Sequence, residues 1–177
     1  RPHNVVLANI EFDHADIFAT MEEYTLAFRR LVNLVPGNGF LVVNTADPVA
    51  REVASPCRGR IIPVAPGDSA AFDFPLPGEH FRLDALLAAA AATALGLTAG
   101  EIARGMASYR GVKRRLEAVF SGGGVTLYDD FAHHPTSIRL DLETLRATHP
   151  GARIRALFEP RSNTLRRAIF QEALPAA

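Results

Sequence analysis

Lysine is nearly absent from this sequence. Of its 19 basic residues 18 are arginine and only Lys113 is a lysine, so chemistry that needs a lysine must use Lys113 or come from outside these 177 residues. Net charge is absent as well, because 19 acidic residues balance the basic ones. That balance leaves no footprint for nucleic acid or an anionic membrane surface as partner. Cysteine occurs once, at Cys57; no internal disulfide can form, as expected of a protein in a reducing cytoplasm. Cys57 has no base close to it in sequence and reads as an inert thiol. The longest apolar run, residues 85–95, falls short of the ~20 residues that cross a bilayer, and the opening Arg-Pro-His-Asn has no signal-peptide pattern. A phosphate-binding G-x-x-x-x-G-K-[ST] loop is also missing. What is plentiful is apolar side chain, 48% of the total, enough for a real core in one domain or two small ones.

The apolar patterning alternates strand with helix. Residues 4–10 (NVVLANI) form a short β-branched run, a buried strand, followed by a polar loop. Thr20-x-x-Glu23 is a capping box opening a helix whose apolar positions Met21, Tyr24, Phe28, Leu31, Val32 and Val35 keep helical spacing until Pro36-Gly37. Strands are expected at 40–44 and 60–65, the second at an edge or bulge because of Pro63, with a short helix over 48–54 between them. An alanine-rich helix spans 83–95, and Thr98-x-x-Glu101 caps another that runs to about Tyr109. Residues 110–115 read as a domain boundary. Beyond it, strands at 116–120 and 125–128 flank Gly122-Gly123-Gly124, a hairpin turn. A helix begins at Pro135 or Thr136 and stops at His149-Pro150-Gly151; a strand over 154–158 then completes a βαβ unit and implies a parallel sheet.

Polar clusters fall where an α/β protein places its sites, after the carboxyl ends of strands. Residues 9–16 (NIEFDHAD) combine carboxylates with one imidazole, a set that suits a divalent cation or, more blandly, a solvated loop. Residues 128–136 (YDDFAHHPT) lie between a strand and a helix N-terminus, a natural anion site; the bland alternative is that His134-Pro135 shapes the turn and Thr136 caps the helix. Arg114-Arg115 with Glu117 suits bidentate phosphate contact, or a solvated hinge. The loop from Glu159 to Arg166 is dense in groups that recognise carboxylates or phosphates.

In order and spacing these clusters resemble the Mur ligase superfamily across nearly the whole chain. Asn9-x-Glu11-x-Asp13-His14-x-Asp16 is similar to its N-x-E-x-D-H-x-D motif, Gly78-x-His80 with the alanine-rich helix to G-x-H-N-x-x-N-A, and Arg114-Arg115-Leu116-Glu117 to its R-R-[FL]-E segment. The most specific match is Asp129 to Thr136, which resembles D-D-[YF]-[GA]-H-H-P-T of the muramate-binding members. The loop Phe158-Glu159-Pro160-Arg161-Ser162-Asn163-Thr164 resembles the branch that joins the murein tripeptide L-alanyl-γ-D-glutamyl-meso-diaminopimelate to UDP-N-acetylmuramate in peptidoglycan recycling; the L-alanine-adding branch is the runner-up. No lysine lies between His14 and Lys113, so the carbamylated lysine of some relatives has no counterpart.

The resemblance implies an α/β fold: the C-terminal part of a P-loop-type central ATPase domain over 1–110, then the start of a Rossmann-like C-terminal domain over 111–177. It implies a cytoplasmic, ATP- and magnesium-dependent amide ligase. ATP would phosphorylate the muramyl carboxylate, and an amine would attack the acyl phosphate through a tetrahedral intermediate. His14 would bind Mg2+, with Asn9 shaping its loop. His80, Asp84, Arg114, Arg115 and Asp130 would serve the nucleotide, with Arg115 near the γ-phosphate and Asp130 at the ribose or phosphate. His133 and His134 would line the cleft, and Arg161, Ser162 and Asn163 would hold the peptide. Phe81 and Asp84 stand where the family pattern has asparagines; an ionised Asp84 accepts from an adenine amino group but cannot donate to a ring nitrogen. Lacking the phosphate loop, the chain reads as the middle of a longer protein, inactive alone. Two readings of other classes compete: a metal-dependent hydrolase built on His14, Asp16, Asp130, His133 and His134, and a non-catalytic nucleotide-binding remnant.

Overall fold

A computed structural model describes residues 1–159 and Leu174. The fold is mixed α/β, and the chain divides into two compact units: residues 1–75 with 79–109, and residues 76–78 with 110–177.

The first unit holds a parallel three-stranded sheet, β1 (Asn4–Leu7), β2 (Phe40–Asn44) and β3 (Arg60–Val64), in the order β1-β2-β3. Every residue of β2 is buried, and successive side chains of a strand point to opposite faces. Leu41 and Val43 therefore pack with Val5, Leu7, Val32, Val35 and Val53 beneath α1 (Met21–Asn33) and α2 (Pro48–Ala54). Phe40 and Val42 face the other way and join Val64, Leu86 and Leu87 beneath α3 (Glu79–Ala94). A strand covered on both faces has no polar side to present, which is why FLVVN shows no alternation. Pro63 sits in β3, which among the described residues pairs only with β2; the edge position tolerates its missing N–H.

The helix ends follow local chemistry. Thr20 accepts from the Glu23 amide at 3.2 Å, while the Glu23 carboxylate accepts from Ala19 at 2.9 Å, one residue before the cap. Thr98 and Glu101 form the full reciprocal box at the start of α4 (Ala99–Ser108). α3 begins four residues earlier than the sequence pattern implies: Gly78, at φ 106°, turns the chain so that Glu79 and His80 enter its first turn, where an acid is favourable. It ends in a Schellman motif, Leu97 N–H to Ala92 C=O and Gly96 N–H to Thr93 C=O, with Gly96 at φ 94°.

The second unit holds an antiparallel hairpin, β4 (Glu117–Gly122) and β5 (Val125–Asp129), and α5 (Pro135–Thr148). Gly123 and Gly124 both have positive φ, 57° and 77°, the requirement of a tight two-residue turn. A bulge at Val119 interrupts the ladder between Ala118 and Phe120. The Tyr128 hydroxyl and His149 Nε2 are 2.8 Å apart, tying β5 to the end of α5. The expected strand over 154–158 does not form. Residues 152–159 are irregular, with Leu157 97% exposed. Among the described residues no neighbouring strand pairs with 154–158; without one, its N–H and C=O groups gain nothing from extension.

Candidate functional site

In the first unit the site elements gather beyond the carboxyl ends of the parallel strands. β1 leads into the loop 8–20 and β2 into Thr45-Ala46-Asp47. Asp47 joins the two. Its Oδ1 accepts from Ala50, capping α2, and its Oδ2 accepts from the Ile10 amide, both at 2.8 Å. Ile10 itself is buried in the core, so the polar residues beside it emerge from a fixed point. Asn9 donates through Nδ2 to Glu11 Oε1 at 3.1 Å. His14 is exposed and left-handed, φ 55°. Its amide donates to Asp13 Oδ1, and its carbonyl accepts from Ile17 and Phe18. Phe12, Phe18 and Phe28 all pack edge-on against Tyr24 within 6 Å, anchoring the loop to α1. Burial, reinforced by the negative charge of Asp13, raises the Tyr24 hydroxyl above its ordinary pKa.

His80 lies in the first turn of α3 with its ring 4.1 Å from that of Phe81. Asp84 follows one turn later and is exposed, so the two share a helix face. A cavity of about 340 Å³ bordered by Arg1, His3 and Arg58 opens at the amino ends of the strands, the end away from these loops.

In the second unit, residues 129–136 leave β5 and enter α5. His134 rather than Thr136 is the helix cap: its Nδ1 accepts from the Thr136 amide at 3.3 Å, and Pro135 takes the first helical position. Proline has no amide to satisfy there, so the residue before it becomes the cap. His133 Nδ1 donates to the Phe131 carbonyl at 3.0 Å, and the two rings pack edge-on. Arg114 is committed locally. Its Nε lies 3.6 Å from Asp129 Oδ2 and its guanidinium 4.9 Å from the Phe131 ring centre. Asp130 accepts from the backbone amides of Leu116 and Ala132, at 2.5 Å each. Arg115 is exposed. The residues expected to hold the peptide, Arg161, Ser162 and Asn163, lie outside the described residues.

Among the described residues no three His, Cys, Asp or Glu side chains come together to hold a metal. A magnesium ion is a different case. It keeps several waters and phosphate oxygens and takes only one or two protein ligands, usually carboxylates, so the want of a three-residue cluster does not bear on it. Sequence reasoning missed Asp47 and did not foresee the contact that Glu117, already grouped with the arginine pair, makes. Asp47 was signalled by an acid directly before a proline at a helix start; Glu117, whose Oε2 accepts from the Arg114 amide at 2.9 Å, had no local signal beyond its place in the motif.

Comparison with known proteins agrees along the chain. Residues 1–63 match the Mur ligase middle domain and residues 114–177 the Mur ligase glutamate ligase domain. A UDP-N-acetylmuramate–L-alanine ligase of Nocardioides is 42% identical over 165 residues, covering 90% of this chain and 37% of that relative. The UDP-N-acetylmuramate–L-alanyl-γ-D-glutamyl-meso-2,6-diaminoheptandioate ligase of Escherichia coli is 34% identical over 197 residues, covering 98% and 43%. A solved murein peptide ligase from Psychrobacter arcticus superposes with a TM-score of 0.65 at 25% identity, covering 93% of this chain and 39% of that one. The more identical of the two sequence relatives carries the L-alanine name, so the tripeptide branch is not singled out, a correction to the expectation from residues 158–164. The chain spans about two fifths of the length of the curated relatives it matches.

Proposed function

This chain belongs to the Mur ligase superfamily, and from that premise we propose that it forms part of a cytoplasmic, ATP-dependent ligase that joins L-alanine to UDP-N-acetylmuramate in building the cell wall. The observation that supports this most directly is the segment 129–136. It carries the Asp-Asp-Phe-Ala-His-His-Pro-Thr signature from β5 into the N-terminus of α5, where backbone amides and the helix dipole favour an anion.

In this reading the muramyl carboxylate attacks the γ-phosphorus of ATP. The bond to the bridging oxygen breaks, ADP leaves, and an acyl phosphate remains. The amine of L-alanine then attacks the acyl carbon, the tetrahedral intermediate expels phosphate, and the amine proton is lost. Arg115 meets the charge that develops on the transferred phosphoryl group, and His133 and His134 line the anionic cleft. Magnesium, when bound, neutralises phosphate charge; His14 is the side chain of this chain that would hold it, with Asn9 and Asp47 keeping its loop in place. His80 and Asp84 face the nucleotide, and the acceptor-only carboxylate of Asp84 discriminates among bases by the donors they present.

A second reading, in which the amine is a murein tripeptide, is favoured by the loop Glu159-Pro160-Arg161-Ser162-Asn163-Thr164 and the likeness to the tripeptide-joining relative of E. coli. The test is ADP release with UDP-N-acetylmuramate and either L-alanine or the tripeptide. It is run on this chain and on a longer form that supplies a phosphate-binding loop. Turnover with L-alanine in the longer form is expected. Preference for the tripeptide selects the second reading. Nucleotide binding without turnover on either amine overturns both and leaves a non-catalytic nucleotide binder.

A further inference from the structure

Arg115 stands between two residues in the left-handed region, Arg114 at φ 60° and Leu116 at φ 43°. Neither is glycine, and a leucine there is an outlier that persists only when its surroundings hold it. Three hydrogen bonds do so. The Arg114 amide donates to Glu117 Oε2 at 2.9 Å, the Phe131 amide donates to the Arg114 carbonyl at 2.9 Å, and the Leu116 amide donates to Asp130 Oδ2 at 2.5 Å. The second carboxylate oxygen of Asp130 accepts from Ala132 at 2.5 Å. Both oxygens are thus engaged by main chain, one by an amide 14 positions away in sequence and one by an amide two positions away.

The side chains of the arginine pair divide accordingly. Both arginines are exposed, but the Arg114 guanidinium lies against Asp129 and over the face of Phe131, while Arg115 is next along the distorted turn. Charge pairing and a cation–π contact make Arg114 part of the turn's framework and leave Arg115 as the guanidinium the turn presents.

We propose that Asp130 is a positioning residue: it does not contact the nucleotide but clamps the left-handed Arg114–Leu116 turn against the Phe131–Ala132 segment, and so sets where Arg115 meets phosphate. The role of Arg115 rests on the ligase reading above; the clamp itself does not. An asparagine at 130 keeps one acceptor oxygen and turns an NH2 group toward the other amide, so one of the two bonds is lost. A glycine at 116 adopts positive φ without the Cβ penalty and needs the clamp less.

The clamp is tested first by amide hydrogen exchange on the full 177-residue chain. Asp130→Asn is expected to speed exchange at Leu116 or Ala132 roughly tenfold, with the amides of β1 to β3 unchanged. Unaltered exchange at both positions overturns the clamp. The positioning role is tested by kinetics in the longer, loop-bearing form. Asp130→Asn and Arg115→Gln should each lower kcat by about 10²-fold with little change in the KM for ATP. The double variant should be no slower than Arg115→Gln alone, and Asp130→Asn with Leu116→Gly should recover part of the rate. Losses that multiply in the double variant, or a rise confined to the KM for ATP with no recovery from Leu116→Gly, show that Asp130 touches the nucleotide directly and overturn the proposal. Absence of turnover in the unsubstituted longer form counts against the ligase reading, while the exchange result still decides the clamp.

Discussion

The amide of Ile10 donates to Asp47 Oδ2 at 2.8 Å across 37 residues of sequence, and the other oxygen of that carboxylate caps α2 through Ala50. One side chain thereby holds the loop after β1 to the helix after β2, at the end of the sheet where the proposed chemistry resides.

Replacing Asp47 should cost more than an ordinary cap. Asp47→Ala removes the cap, about 1 kcal/mol, and leaves the buried-side amide of Ile10 without its acceptor, about 1–3 kcal/mol more. Urea unfolding of the chain measures the sum. Asp47→Asn, which keeps one acceptor oxygen, should recover part of it. A loss no larger than that of a plain cap would mean that the Ile10 bond contributes nothing.

The centre of the sheet sets a second expectation. Leu41 and Val42 are fully buried on opposite faces of β2, so Leu41→Ala should destabilise the first unit by about 2–5 kcal/mol through lost transfer energy and the cavity left behind. The midpoint of the same urea transition reports it.

Gly39 precedes β2 where a Cβ would overlap the carbonyl oxygen of His3 and press on Pro36. The backbone of the strand entry would have to move, so Gly39→Ala should cost about 1–3 kcal/mol. Gly67, around which a Cβ meets nothing within 4 Å, is the control; its alanine variant should lie within about 0.5 kcal/mol of the parent. Equal effects at the two positions would contradict the close approach.

The capping box at α4 predicts a pH dependence. The Thr98 hydroxyl, then its amide, hydrogen-bonds the Glu101 carboxylate and holds its pKa below the ordinary glutamate value. A carboxylate whose folded pKa is depressed adds stability above its unfolded pKa, and that stability is lost as pH falls through the folded value. The difference in thermal midpoint between the chain and its Glu101→Gln variant should therefore be present at pH 7 and shrink as pH falls through and below the ordinary carboxylate range. A difference that persists at low pH would show that the bonds do not depend on the ionised carboxylate.

Much of the architecture was legible in residue order because it rests on short-range chemistry. The Thr98–Glu101 box announced α4, the short helix over 48–54 was expected between two strands, and consecutive glycines set the hairpin between β4 and β5. The motifs from Asn9 to Asp16 and from Asp129 to Thr136 located the candidate site loops for the same reason: each is a contiguous run whose residue types carry the chemistry. The start of α3 was misplaced because Gly78 redirects the chain through a backbone angle that residue patterns do not display.

Residue order alone therefore determined the alternation of strands and helices, the caps and turns, and the family signatures, all properties of neighbours within a few positions. Only the tertiary structure decided that β2 is central and covered on both faces, that 154–158 pairs with none of the described strands, that Asp47 reaches Ile10, and that Asp130 spends its carboxylate on the amides of Leu116 and Ala132. Each of these is a choice of partner made across a long stretch of chain, and hydrogen-bonding groups and apolar faces select such partners by geometry, which no local pattern encodes.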